Sequence, residues 1–209
     1  MDDAVVVALF RHGITEENKR KAYIGWTDAP ICEDARLVLA NQTSKLSPYE
    51  RVVTSDLKRC LQTAEVLFPD QDPQAWPEFR EMNFGRWEGK MYEELAGDPY
   101  YEEWIKNHFA SEPPEGEGYS TFAERIEKGW QKVFLMMLEG DLGRTAIVTH
   151  GGVIRYLLSK LGHEERGFWE WQVPHGNGFE LVWSTEEAFR RGERCTLLRV
   201  VPLTENQVG

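Results

Sequence analysis

Two hydrophobic periods alternate along this chain. Short continuous apolar runs recur, rich in β-branched residues and too short for helices, and they read as buried strands. The first spans Ala4 to Leu9, the second is Arg51-Val52-Val53-Thr54, and the third is Thr145-Ala146-Ile147-Val148-Thr149. Glu180 to Trp183 and Leu197 to Val201 read as the last two. Elsewhere the apolar positions fall at helical spacing. Glu33 to Leu46 is a predicted helix with Leu37, Leu39, Ala40 and Leu46 as core contacts. Leu57 to Leu67 is another, with Leu57, Cys60, Leu61, Ala64 and Leu67 on its apolar face and Ser55-Asp56 at the capping position. Phe122 to Leu138 reads as a long amphipathic helix, Val153 to Leu161 as the helix after the third strand, and Ala188 to Gly192 as a short turn or helix.

Strands alternating with helices predict an α/β fold, a three-layer α/β/α sandwich on a mainly parallel sheet. Phe68 to Pro77 reads as a Pro/Asp-rich connection, and Tyr23 to Pro30 as a loop rich in turn residues. Residues from about 82 to 121 read as a helical and loop insertion acting as a lid. Its aromatics, Tyr92, Tyr100, Tyr101, Trp104 and Phe109, are more naturally packing residues than ligand contacts. With no repeat, low-complexity tract or linker, residues 1–209 read as a single domain carrying that insertion.

Composition narrows the function classes. Hydrophobic residues at 41% and charged residues at 28% describe a soluble globular chain. A net charge of -11 disfavours nucleic acid and anionic membranes as partners, so any anion site must be a local cationic pocket. Cys32, Cys60 and Cys195 are odd in number and widely spaced, which fits neither a disulfide framework nor a metal site and points to a reducing cytoplasm. The start, Met1-Asp2-Asp3 and a short apolar run, resembles neither a signal peptide nor a membrane span.

The strands end on chemistry. The first stops on Arg11-His12-Gly13, the second leads through Thr54-Ser55 to Arg59, and the third ends on His150-Gly151-Gly152. Ligands of parallel α/β sheets bind outside the carboxyl ends of the strands. Two arginines and two histidines at that edge make a pocket for a dianion. Glu81 lies on a loop that could return to the same edge. Arg59 falls off the apolar set of its helix and, in the first turns, opposes the helix dipole. His108, His163 and His175 read as surface or structural residues.

These residues stand in four ordered motifs: Arg11-His12-Gly13-x-Thr15-x-x-Asn18 with Gly25-Trp26-Thr27-Asp28; Thr54-Ser55-x-Leu57-x-Arg59-x-x-Gln62-Thr63-Ala64; Arg80-Glu81-x-Asn83-Phe84-Gly85-x-Trp87-Glu88-Gly89; and Thr149-His150-Gly151-Gly152. Over nearly its whole length the chain resembles the histidine phosphatase superfamily, in its phosphoglycerate-mutase-like branch. The resemblance implies a phosphomonoesterase acting on a small-molecule phosphate ester, with no cofactor and no metal. It implies that His12 becomes a phosphohistidine and that Arg11, Arg59 and His150 hold the equatorial oxygens. Asn18 and the backbone at Gly25 and Gly151 would add hydrogen bonds, and Glu81 would be the proton donor, ahead of Glu88.

Narrower relatives stay open as alternatives: an α-ribazole phosphatase, a phosphoglycerate mutase, or a non-catalytic binding protein on this fold. A hydrolytic metal site on His12, His150 and Glu81 is disfavoured, because Arg11 and Arg59 would repel a cation. A homodimer is compatible with the sequence. Two positions depart from the family: Ile31-Cys32-Glu33-Asp34-Ala35 lacks a common glycine, and Gly116-Glu117-Gly118 has glycine where serine is frequent.

Overall fold

The computed structural model describes residues 4–202; Met1-Asp2-Asp3 lie outside the described residues. The chain runs β1 (Val5–Arg11), α1 (Glu16–Lys19), α2 (Glu33–Thr43), β2 (Arg51–Thr54), α3 (Lys58–Leu67), β3 (Gln74–Ala75), α4 (Tyr92–Leu95), α5 (Pro99–Lys106), α6 (Tyr119–Gly140), β4 (Arg144–Thr149), α7 (Gly151–Leu161), β5 (Gly178–Trp183), α8 (Glu186–Arg190) and β6 (Leu197–Val201). The sheet order is β3-β2-β4-β1-β5-β6. The pairings β3–β2, β2–β4 and β4–β1 are parallel, whereas β1–β5 and β5–β6 are antiparallel.

β1 is buried on both faces because it lies in the middle of this sheet, which explains its unbroken apolar run. Its alternate residues feed two cores. Val5, Val7 and Leu9 pack with α6, α7 and α8; Ala8 and Phe10 pack with α2 and α3. That is the expected α/β/α sandwich.

Several local expectations change. β3 falls in the stretch expected to be a plain connection. α2 ends at Thr43 and faces the core through Ala35 and Leu39, while Leu37 is 64% exposed and Ala40 is also exposed. One layer covers this helix on one side only, so a narrower stripe than the sequence offered is buried. In α3 the helix starts at Lys58, and its first N–H is met not by Ser55 or Asp56 but by Asp28 Oδ1 at 2.7 Å, from another loop. Asp56 is instead committed to Arg80, with both carboxylate oxygens accepting at 2.6–2.7 Å.

Candidate active site

The parallel register brings the strand ends level. Arg11 faces Thr149 and Thr54 faces Val148 across adjacent ladders, so His12, His150 and Ser55 leave the sheet side by side. The His12 and His150 rings lie 5.2 Å apart, centre to centre. His12 is 3% exposed and His150 fully buried.

His12 has a defined proton. Its Nδ1 lies 2.8 Å from the carbonyl of Gly13, which can only accept, so Nδ1 donates and Nε2 keeps a bare lone pair. Burial, then the charges of Arg59 and Arg11 and the neighbouring His175, push its pKa well below the usual histidine value. It is therefore neutral near pH 7. His150 is depressed likewise, first by burial and then by Arg59. Its Nε2 pairs with Ser55 Oγ at 2.9 Å, a hydroxyl able to donate or accept.

The two arginines are held by backbone carbonyls, which orient them without neutralising them. Arg11 donates to Val173 O at 2.6 Å. Arg59, expected off the buried face, is fully buried; it donates to Thr27 O at 2.7 Å and Gly25 O at 2.6 Å. Its long stem lies inside the fold while its head turns to the strand ends, which a helical-wheel reading cannot anticipate. The Nε atoms of Arg11 and Arg59 are buried with no hydrogen-bond partner. Burial lowers the pKa of Arg11 to about 10, and Glu81 partly offsets this. Both remain cationic at neutral pH.

Glu81 reaches the same place from its loop. Its carboxylate accepts from Gly152 N at 2.8 Å and Met82 N at 3.0 Å. The loop is anchored to the sheet by Thr149 Oγ1, which donates to Phe79 O at 2.8 Å. Arg125 on α6 donates to the carbonyls of Glu78, Arg80 and Glu81 and is clamped by Glu117 at 2.6 Å. Glu88 has a different task. It accepts from Gly25 N, Trp26 N, Thr27 N, Thr27 Oγ1 and Phe84 N, tying two loops together.

That arrangement corrects one expectation. Gly25 N–H is spent on Glu88, and the Gly25 carbonyl serves Arg59; Gly25 builds the pocket and offers no free donor here. A Cβ at Gly25 would stand 1.8 Å from Met82 O, so only glycine fits. Asn18 closes a capping box with Thr15, its Oδ1 accepting from Thr15 N at 3.2 Å. Gly151 begins α7 directly beneath Arg11: a Cβ there would meet Arg11 Cζ at 3.3 Å.

His175 also corrects the sequence reading. Its ring lies 5.1 Å from that of His12, and its Nδ1 donates to His12 O at 3.2 Å. Burial, then Arg11, lowers its pKa to about 4. A glycine beside it, Gly176, was the only local signal, and it points to a turn rather than a site. Ser55 stood inside a motif but carried no assigned role. Arg125 and Glu117 went unnoticed because amphipathic periodicity marks charged positions as solvent-facing.

The insertion behaves in two ways. Tyr101 and Trp104 are buried and pack against Trp87, as expected of core aromatics. Tyr92, Tyr100 and Phe109 are exposed. Trp104 also joins Tyr23, Phe84, His108, Tyr119, Phe168 and Trp169 around a cavity of about 210 Å³ whose inner end is Glu81 and Gly152. His108, expected to be incidental, stands between Trp104 and Trp169 at 4.4 and 4.7 Å.

The sequence profile of the histidine phosphatase superfamily (branch 1) matches residues 7–190. The chain is 30% identical over 177 residues to the adenosylcobalamin/alpha-ribazole phosphatase of Salmonella typhimurium strain LT2, covering 80% of this chain and 85% of that one. It is 24% identical over 223 residues to the 2,3-bisphosphoglycerate-dependent phosphoglycerate mutase of Chlamydia felis, covering 88% and 96%. The crystal structure of the alpha-ribazole phosphatase from Shigella flexneri superposes with a TM-score of 0.76 at 24% identity, over 84% of this chain and 89% of that one, which speaks for the fold.

Proposed function

The chain belongs to the histidine phosphatase superfamily, branch 1, and on that footing we propose that it is a metal-independent phosphomonoesterase of the histidine type acting on small phosphate esters. His12 Nε2 attacks phosphorus in line, and the P–N bond forms as the bond to the leaving oxygen breaks. Arg11, Arg59 and His150 take the equatorial oxygens, where charge is spread in the transition state. The Gly151 N–H at the start of α7 and the Asn18 side chain add donors. Glu81 protonates the leaving oxygen. It then takes a proton from the water that attacks the phosphohistidine, and His12 is regenerated.

One observation carries this reading: a neutral histidine with its Nδ1 proton committed and its Nε2 bare, beside the buried Arg59 and the half-buried Arg11. The cation charge a metal would bring to the equatorial oxygens comes from those arginines. The test is a panel of phosphate monoesters, α-ribazole phosphate among them, assayed with and without excess chelator. Release of phosphate that survives the chelator is expected. Loss restored by added zinc or magnesium would overturn the metal-independent reading.

The aromatic wall of the cavity favours hydrolysis over mutase chemistry. A mutase must retain a small carboxylate-bearing product for re-attack, and the family grips it with arginines in the insertion. The corresponding stretch here, Tyr101-Glu102-Glu103-Trp104-Ile105-Lys106-Asn107, holds no arginine. An apolar recess suits a larger, hydrophobic leaving group. With 3-phosphoglycerate and a trace of the 2,3-bisphosphate, negligible isomerisation is expected. Isomerisation faster than phosphate release would reverse the assignment.

A further inference from the structure

The aromatic cavity has one cation in its wall, Arg155, which the chemistry proposed above does not use. Arg155 lies four residues after Gly151, so helical geometry puts it on the same face of α7, over the strand ends. A Cβ at Gly151 would meet Arg155 Nη1 at 3.2 Å and Arg11 Cζ at 3.3 Å, so the two guanidiniums converge on one point of α7. Among the described residues neither makes an ion pair, although the charge of Glu81 acts on Arg11. The one hydrogen bond of Arg155 among them runs from Nε to Trp171 O at 3.1 Å. That bond, with Trp169 5.9 Å from the guanidinium, aims the head and leaves both terminal nitrogens without a protein acceptor.

Arg155 also lines a second cavity of about 390 Å³, with Arg11, Trp169, Trp171, Gln172, Val173 and Pro174. It therefore stands at the rim where the leaving-group recess meets the phosphate-holding arginine. Two like charges placed together cost free energy, and here Arg155 itself helps to lower the pKa of Arg11. In a chain of net charge -11 the long-range field disfavours anions, so capture of a second anion needs a local cation. An oriented guanidinium with no ion pair at the edge of an aromatic recess is the arrangement that selects an anion carried on the leaving group.

Resting on the phosphomonoesterase reading, we infer that Arg155 is a specificity-determining residue that binds a second anionic group, a carboxylate or its equivalent, carried by an aromatic leaving group. The aromatic body occupies the recess beside Trp104 and Trp169. The anionic substituent meets the free Nη1 and Nη2 of Arg155.

The experiment compares two esters that differ only in charge, para-carboxyphenyl phosphate and its uncharged para-carbamoylphenyl counterpart. The wild type should prefer the carboxylate in kcat/KM, chiefly through KM. Arg155→Gln should lose about 10-fold on the carboxylate, the scale of one charge-assisted hydrogen bond. It should change the carboxamide by no more than about 3-fold, and Arg155→Lys should recover part of the loss. Equal losses on both esters, or no wild-type preference, would overturn the inference. Calorimetry with the matching benzylphosphonates reads the same preference without turnover. Tighter binding of the carboxylate analogue by a chain that released no phosphate would count against the hydrolase reading alone.

Discussion

The carboxylate of Glu81 rests on the α-carbon of Gly152. It accepts the Gly152 N–H at 2.8 Å, and a Cβ at that position would stand 2.3 Å from Oε1. The glycine is required by approach and not by backbone angle. The second glycine after His150 thus makes room for an acid from another loop.

Gly152→Ala should therefore displace Glu81 and mimic its loss. A general acid matters most when the leaving group is poor. The variant should lose about 10²-fold on alkyl phosphates and far less on nitrophenyl phosphate, the same pattern as Glu81→Gln. Parallel kcat measurements on both esters check it. Equal loss on both would mean that the added methyl disturbs phosphate binding instead.

His12→Ala should remove essentially all turnover, since the nucleophile has no substitute. Rapid quench of the wild type should trap a phosphoenzyme labile in acid and stable in base, with the label mapping to His12. Arg59→Ala and His150→Ala should each cost on the order of 10²-fold, as lost transition-state donors do.

Glu88→Ala should behave differently from any change at Glu81. It frees at least four backbone N–H groups of two loops and releases Gly25, which holds Arg59. Stability should fall by about 3 kcal/mol or more, the scale of several charge-assisted hydrogen bonds left unmade. Activity should fall by the same factor on good and poor leaving groups. Thermal melting together with the two-ester comparison separates the two carboxylates.

Acid should destabilise the fold before it titrates a typical carboxylate. His175 has a folded pKa of about 4 against 6.5 for the ordinary side chain. Between these values the unfolded chain binds a proton that the folded chain refuses, so stability falls as pH drops from about 6.5 to about 4 and the loss then levels. This one group accounts for up to about 3 kcal/mol. His175→Asn, which keeps a donor for the His12 carbonyl, should flatten that part of a Tm–pH curve. An unchanged slope would move the effect to His12 and His150, whose pKa values are depressed in the same direction.

Much of this was legible in the chain itself. The apolar runs located five of the six strands among the described residues; β1, β4 and β5 carry unbroken runs because they are buried on both faces, while the edge strand β6 shows a run that is largely exposed. Only Gln74–Ala75 escaped, being two exposed residues at the sheet edge with no apolar signal to give. The motif residues Arg11, His12, Arg59, Glu81 and His150 do come together. Helix faces were read less well, as Leu37 and Arg59 show, because periodicity ranks positions by side-chain type. It does not know which layer covers them.

What the sequence determined was the order of elements and the identity of the groups at the strand ends, since both follow from local pattern. The tertiary structure alone decided how each group is used. Whether His12 presents Nε2 depends on a carbonyl at 2.8 Å. Whether Glu81 or Glu88 is available depends on which loop each one ties down. That His175 belongs to the site, and that Arg155 and Arg11 share one point of α7, depends on segments far apart in the chain folding to one edge. A hydrogen bond or an uncompensated charge is a property of distances, and a linear sequence carries residue types without the distances between them.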